Sequence, residues 1–184
     1  PPVLQPLITL AGNPGPAPQG RGAGCRRRMK LAVLAVGHRQ PDWVNEACAE
    51  YLKRMPRELP ASVTEIKPEP RGSKTREQLL SAEKGRIRDA LAAGSRIVVL
   101  DEKGDDLTTL KLAKRLEVWM QDGRDVALLI GGADGLDEEF KQQADDKLRL
   151  SSLTLPHGMA RMVLCEQLYR AVSVLKNHPY HREG

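Results

Sequence analysis

The amino-acid sequence predicts an α/β fold, a mostly parallel sheet with helices on both faces. Nearly continuous apolar runs carry that expectation: "KLAVLAVG" at Lys30 to Gly37, "RIVVLD" at Arg96 to Asp101 and "DVALLIGG" at Asp125 to Gly132 have the pattern of strands covered on both sides. Stretches with helical spacing alternate with them, and glycine and proline punctuate the joins.

The elements follow in order. Pro41-Asp42 opens "DWVNEACAEYLKRM", in which Trp43, Ala47, Tyr51 and Met55 form one helical stripe. "SVTEIK" at Ser62 to Lys67 alternates like a half-exposed strand and ends in the Pro- and Gly-bearing "PEPRGSK". A helix from Thr75 to Ala93 is stopped by Gly94, and another spans Thr108 to Met120 after a Gly-containing loop. "DEEFKQQA" reads as a short helix, "KLRLS" as a fifth strand, and Met159 to Lys176 as the last and most amphipathic helix. Residues 29 to 184 form one domain.

Composition narrows the function. With 184 residues, 40% hydrophobic and 29% charged, the chain is long enough for one globular core. Aromatics are only 3%, so the core rests on Leu, Val, Ile, Ala and Met, and base stacking is excluded as a major binding mode. The formal charge of +5 includes Arg21, Arg26, Arg27 and Arg28 in an acid-free segment, which leaves +1 for the rest. Whole-chain charge is therefore no argument for nucleic-acid binding by the folded part. Residues 1 to 28 hold six of the thirteen prolines and read as a disordered extension upstream of a start at Met29. Cys25, Cys48 and Cys165 are widely spaced and form no ligand array, which points to a reducing, cytoplasmic setting without a structural metal.

In an open α/β sheet ligands bind at the carboxyl ends of the strands. "LDEKGDD", "GGADG" and "SSLTLPHG" follow three successive strands and converge there on one crevice. Gly131, Gly132 and Gly135 suit a tight turn or a ligand loop equally, and match neither dinucleotide nor phosphate fingerprints. Asp101 is a functional carboxylate or a turn cap. His157 is a general base or a capping residue, and Cys165 is a buried thiol. Arg71, Lys74 and Arg76 form a basic cluster, either a phosphate contact or a solvated loop. "KNHPYHREG" gathers Lys176, His178, Tyr180, His181 and Arg182 at the C-terminus, as a solvated tail or as a phosphate- and base-contacting one.

Taken together, "PDWVNEACAEYLKRMP", "VVLDEKG", "LLIGGADGL", "LSSLTLPHGMARMVLCEQLYRA" and "NHPYHRE" resemble the ribosomal RNA large subunit methyltransferase H family, pseudouridine N3-methyltransferases of the SPOUT superfamily. The resemblance runs in order from Met29 to Glu183. It implies a C-terminal part threaded into a deep trefoil knot, a homodimer, S-adenosylmethionine as cofactor and no metal. It places cofactor contacts at Leu100, Gly132, Ser151, Ser152, Leu153, Thr154, Leu155 and Pro156. The backbone of Ser152 to Leu155 would hold the adenine edge, Leu100 and Leu155 would supply apolar walls, and Pro156 and Gly158 would turn the chain. The implied substrate is a pseudouridine in a large-subunit rRNA stem-loop on the assembled ribosome. Tyr180, His181 and Arg182 would orient it from the partner subunit, with His157 supporting the cofactor-side loop. Residues 1 to 28 have no counterpart in the family, and Gly158-Met159 stands where members often carry a larger pair. A SPOUT-type tRNA methyltransferase and a non-catalytic nucleotide-binding module are the alternative readings.

Overall fold

A computed structural model describes residues 28–182, the side chains of 181 and 182 excepted. The expectations for the segment before Arg28 and for the His181 and Arg182 side chains lie outside the described residues.

Five strands make one sheet, β1 (Leu31–Val36), β2 (Ala61–Ile66), β3 (Arg96–Asp106), β4 (Val126–Ile130) and β5 (Asp146–Arg149), in the order β2-β1-β4-β3-β5. Every pairing is parallel. Parallel neighbours need crossover helices, and these cover both faces. On one side α1 (Asp42–Lys53), α3 (Thr109–Asp122) and α5 (His157–Leu175) enclose a core that includes Leu31, Val33, Leu116, Trp119, Leu128, Leu164 and Leu168. On the other, α2 (Arg76–Ala90) and α4 (Glu138–Gln143) pack Ile87 and Phe140 against Leu34, Val36, Val99 and Leu129. The alternation of the two sets along each strand is the period-2 rule at work.

Local chemistry sets the helix ends. Thr75 caps α2 through a capping box with Gln78, and Thr108 caps α3 by accepting from Lys111 N–H. Gly123 closes α3 in the left-handed region, φ 78°. α2 stops at Ala90, short of the expected Ala93, because Leu91 turns extended; Gly94, φ 75°, instead shapes the bend into β3. A buried Trp119 donates its indole N–H to Asp146 at 2.9 Å, tying α3 to the start of β5.

Three expectations need correction. The buried stripe of α1 is Val44 and Cys48, not one through Trp43, whose exposure is 55%. "DEKGDD" is no loop: β3 runs on to Asp106 and rejoins β5 after a register shift between Leu100 and Asp105. Gly104 makes this possible, since a Cβ there would lie 2.5 Å from the Leu148 carbonyl carbon. Lastly, α5 begins at His157 and no residue of it is exposed, so it is an enclosed helix between α1 and α3 rather than an amphipathic one. The Cys165 thiol is buried as expected, facing Cys48 across the α1–α5 contact.

Among the described residues, no helix is long and apolar enough to cross a membrane.

Candidate functional site

The parallel sheet brings the ends of β3, β4 and β5 to one edge, and the three expected segments meet there. They line a cavity of about 800 Å³ with the first turns of α5, within the roughly 300–1,000 Å³ typical of small-molecule sites. Leu100, Ile130, Leu136, Leu148 and Leu150 give it apolar walls. Arg76, Asp101, Lys103, Asp134, Lys141 and Arg149 bring charge of both signs to its rim.

The glycine segment is both a tight turn and a cavity wall. Gly135, φ 86°, donates its N–H to the Gly132 carbonyl at 3.0 Å, closing a four-residue turn. Gly131 passes so near the returning chain that a Cβ would lie 2.5 Å from the Gly135 carbonyl carbon. A Cβ on Gly132 would meet Val36 at 3.1 Å and the buried Glu83 carboxylate at 3.3 Å. Asp134 at the tip accepts from Arg71 Nη2 at 2.8 Å, and its carbonyl accepts from Arg76 Nη2 at 3.0 Å. Lys74 pairs with Glu69. Arg71 and Arg76 thus brace the turn, and a phosphate at the cluster competes with internal partners.

Asp101 lies within β3 and binds its own strand and α4. It accepts from Lys103 N–H at 2.8 Å and pairs with Lys141 Nζ at 3.1 Å. Burial works against its charge, but the Lys103 N–H and the Lys141 ammonium outweigh it and hold the carboxyl below its ordinary range.

Beyond β5, which ends at Arg149, the chain is irregular up to α5. Leu153 N–H donates to Ser151 Oγ at 2.9 Å, a side-chain turn that throws Leu153 outward to 77% exposure. Among the described residues, the backbone of Ser152 to Leu155 makes no backbone–backbone hydrogen bond. A stretch of largely free donors and acceptors along a cavity is a ligand-binding edge in waiting. Pro156, the residue before α5, accepts from Ala160 N–H at 2.9 Å but does not itself line the cavity. His157 does line it, and α5 has no side-chain cap hydrogen bond. Its pKa is pushed below the usual imidazole range by burial and by the Arg161 charge.

Seven of the eight expected cofactor positions therefore share one cavity: Leu100, Gly132, Ser151, Ser152, Leu153, Thr154 and Leu155. Tyr180, from the expected catalytic tail, does not join them within one chain. Tyr180 follows a return of the chain after Leu175 and rests on mid-α5, its hydroxyl donating to Glu166 at 3.2 Å and its ring 4.8 Å from that of Tyr169. Glu166 lies ~13 Å along the helix from His157. Burial, then Tyr51 and the Glu166 charge, push the Tyr180 phenol up, so near neutrality it is a donor.

Sequence reasoning missed Lys141 and Arg161. The first needed the distance from β3 to α4. The second left a signal, a lone arginine on the helical spacing Gly158, Arg161, Cys165, Leu168, all buried. Among the described residues no group of three or more His, Cys, Asp or Glu is placed to hold a metal.

Comparisons with known proteins give the chain a family. A family model described as "Predicted SPOUT methyltransferase" matches residues 29–181. The chain is 93% identical over 156 residues to a Ribosomal RNA large subunit methyltransferase H of Dechloromonas aromatica, covering 85% of this chain and 100% of that protein. A protein of the same name from Burkholderia ambifaria is 58% identical over 155 residues, covering 84% and 99%. Among solved structures, a probable methylase family protein from Haemophilus influenzae covers 83% of this chain and 69% of that one at 14% identity, with a TM-score of 0.48. The chain belongs to the SPOUT methyltransferase family and, within it, to the ribosomal RNA large subunit methyltransferase H family.

Proposed function

We propose that this protein is a cytoplasmic, S-adenosylmethionine-dependent methyltransferase that modifies N3 of a pseudouridine in large-subunit (23S) ribosomal RNA on the assembled ribosome. The observation that carries the reading is the 93% identity along the whole length of a protein named as a large-subunit rRNA methyltransferase.

The cavity fits the cofactor. Its volume suits a small molecule, Leu100 and Leu155 offer apolar walls, and the largely unused backbone of Ser152 to Leu155 supplies the donors and acceptors an adenine edge requires. Gly131 and Gly132 let the cavity wall pack closely on Gly135, Val36 and Glu83, where a Cβ would collide. When bound, S-adenosylmethionine supplies an activated methyl group on a cationic sulfonium. The acceptor imide N–H has an acidity on the order of a phenol, so alignment contributes more than a strong base. In this reading a homodimer forms, the C-terminal chain is knotted, and Tyr180, His181 and Arg182 of one subunit orient the base beside the other's cavity. The distance between Tyr180 and the cavity within one chain supports an action in trans. Tyr180 then serves as a hydrogen-bond donor, and the domain from 29 to 184 carries the whole activity.

Mass-spectrometric mapping of methylated nucleosides, in rRNA from cells with and without the protein, tests the site. Labelled cofactor offered with assembled ribosomes, free subunits or tRNA tests the substrate. Label on N3-methylpseudouridine in assembled ribosomes is expected; label in tRNA, or none in rRNA, overturns the reading.

A further inference from the structure

The first two turns of α5 bury three nitrogen atoms without hydrogen-bond partners, Nδ1 of His157 and Nε and Nη2 of Arg161. Arg161 is fully buried, and Glu65 Oε1, 2.6 Å from Nη1, is its ion-pair partner. In a planar guanidinium Nε–H and the nearer Nη2–H point the same way, forming the edge that takes both oxygens of a carboxylate. That edge is the unfilled one. Gly37 leaves Nη2 room, since a Cβ there would lie 3.0 Å from it.

A buried donor without an acceptor is costly, and native interiors seldom keep one. One turn earlier on the same helix stands the complementary orphan, His157 Nδ1. Neutral imidazole carries its proton on one nitrogen only, and the other nitrogen accepts. No acceptor stands at Nδ1 to take a proton from it, whereas the guanidinium is close enough for its charge to act on the ring. A proton on Nδ1 would be a third buried, unpaired donor, beside a cation.

We propose that Arg161, held by Glu65, positions His157 as the Nε2–H tautomer, so that His157 offers a hydrogen-bond donor to an oxygen of the ligand in the cavity. Nδ1 is buried, while the residue lines the cavity together with Leu155 and Ala160. Burial and the guanidinium both disfavour the charged ring. An uncharged donor tolerates a cationic ligand that an imidazolium would repel. In this arrangement His157 is neither general base nor helix cap, and its support of the cofactor-side loop takes the form of a donated hydrogen bond. The groups around it are Arg161 from α5, Glu65 behind it on β2, the uncharged Gln40 against Gly158, and the cavity's Asp101–Lys141 pair. The tautomer is independent of the proposed function; the identity of the ligand rests on it.

The test is nitrogen NMR of the ¹⁵N-imidazole-labelled full chain without ligand, between about pH 8 and 5.5, the span over which an ordinary imidazole changes charge. His157 is expected to show a protonated Nε2 and an unprotonated Nδ1 throughout, with the exposed His38 as comparison. In Arg161→Met, whose side chain is of similar length, the Nδ1–H form should appear and protonation should begin at higher pH. Calorimetry with S-adenosylmethionine should find His157→Gln, which keeps an amide donor, within about threefold of the parent and His157→Ala about tenfold weaker. An Nδ1–H tautomer or a charged ring at pH 7 in the parent chain overturns the proposal, as does full affinity in His157→Ala. Failure to methylate rRNA with the expected tautomer present would instead sink the proposed function alone.

Discussion

At its first turns α5 holds a buried Arg161 and a half-buried His157 with three nitrogens unfilled, while farther along Glu166 gathers several partners at once. In the middle of the helix Glu166 accepts from Arg170 Nε at 2.7 Å, from Tyr180 at 3.2 Å and from Gln167 at 2.7 Å. Gln167 accepts in turn from Thr109 at 2.8 Å, and Arg170 lies 4.8 Å over the Tyr180 ring. Arg161 is wholly out of solvent, whereas the Arg170 and Glu166 side chains keep exposures of 23% and 17%. A saturated network fixes shape, here the path of the tail. An unsaturated one holds hydrogen-bonding capacity in reserve where the cavity begins.

The sharpest way to break this comparison is to remove the carboxylate at each end. Glu65→Ala strips the fully buried Arg161 of its ion-pair partner and should cost about 3 kcal/mol in urea unfolding. Glu166→Gln keeps an acceptor for Tyr180 and should cost about 1 kcal/mol. The reverse order would mean that the first turns are not the strained end. Next in size, Gly131→Ala forces a Cβ into backbone at 2.5 Å, with an expected loss of about 2 kcal/mol and of cofactor affinity by calorimetry. Its control is Gly85→Ala on the exposed side of α2, where a Cβ meets nothing within 4 Å and a gain of about 0.5 kcal/mol is expected.

Tyr180→Phe should cost about 0.5–1 kcal/mol through the lost bond to Glu166. It should leave cofactor affinity within about twofold and lower ribosome methylation at least about tenfold; unchanged methylation would reduce the hydroxyl to a structural contact. The smallest effect is expected of Asp101→Asn. The folded carboxyl titrates below its ordinary 3.8, so its contribution is complete above that pH and is lost as pH falls further. The variant should be slightly less stable near pH 7, the gap closing below about pH 4. A gap that widens in acid would contradict the Lys141 pairing.

The parallel sheet and its converging loops were legible because apolar runs mark buried strands and strand order need not be known to place their carboxyl ends together. Phase was harder to read than period. In α1 the alanines at 47 and 49 leave several stripes equally apolar, and only packing against α5 selects Val44 and Cys48 over Trp43. The polar "DEKGDD" becomes strand because β5 pairs with it, a decision made by residues more than forty positions away. Glu65 and Arg161 are separated by 96 positions, and no local pattern announces that pair or its empty edge.

The cavity draws its walls from residues 76 to 160, taking in the ends of three strands, the segments that follow β4 and β5, and single turns of α2, α4 and α5. A ligand seated there binds the folded chain and not the unfolded one, so it stabilises the whole domain by mass action, about 2.7 kcal/mol at a free concentration one hundred times its Kd. The melting temperature thus becomes a gauge of occupancy, and the abundance of the protein in a cell becomes tied to the supply of its small-molecule ligand.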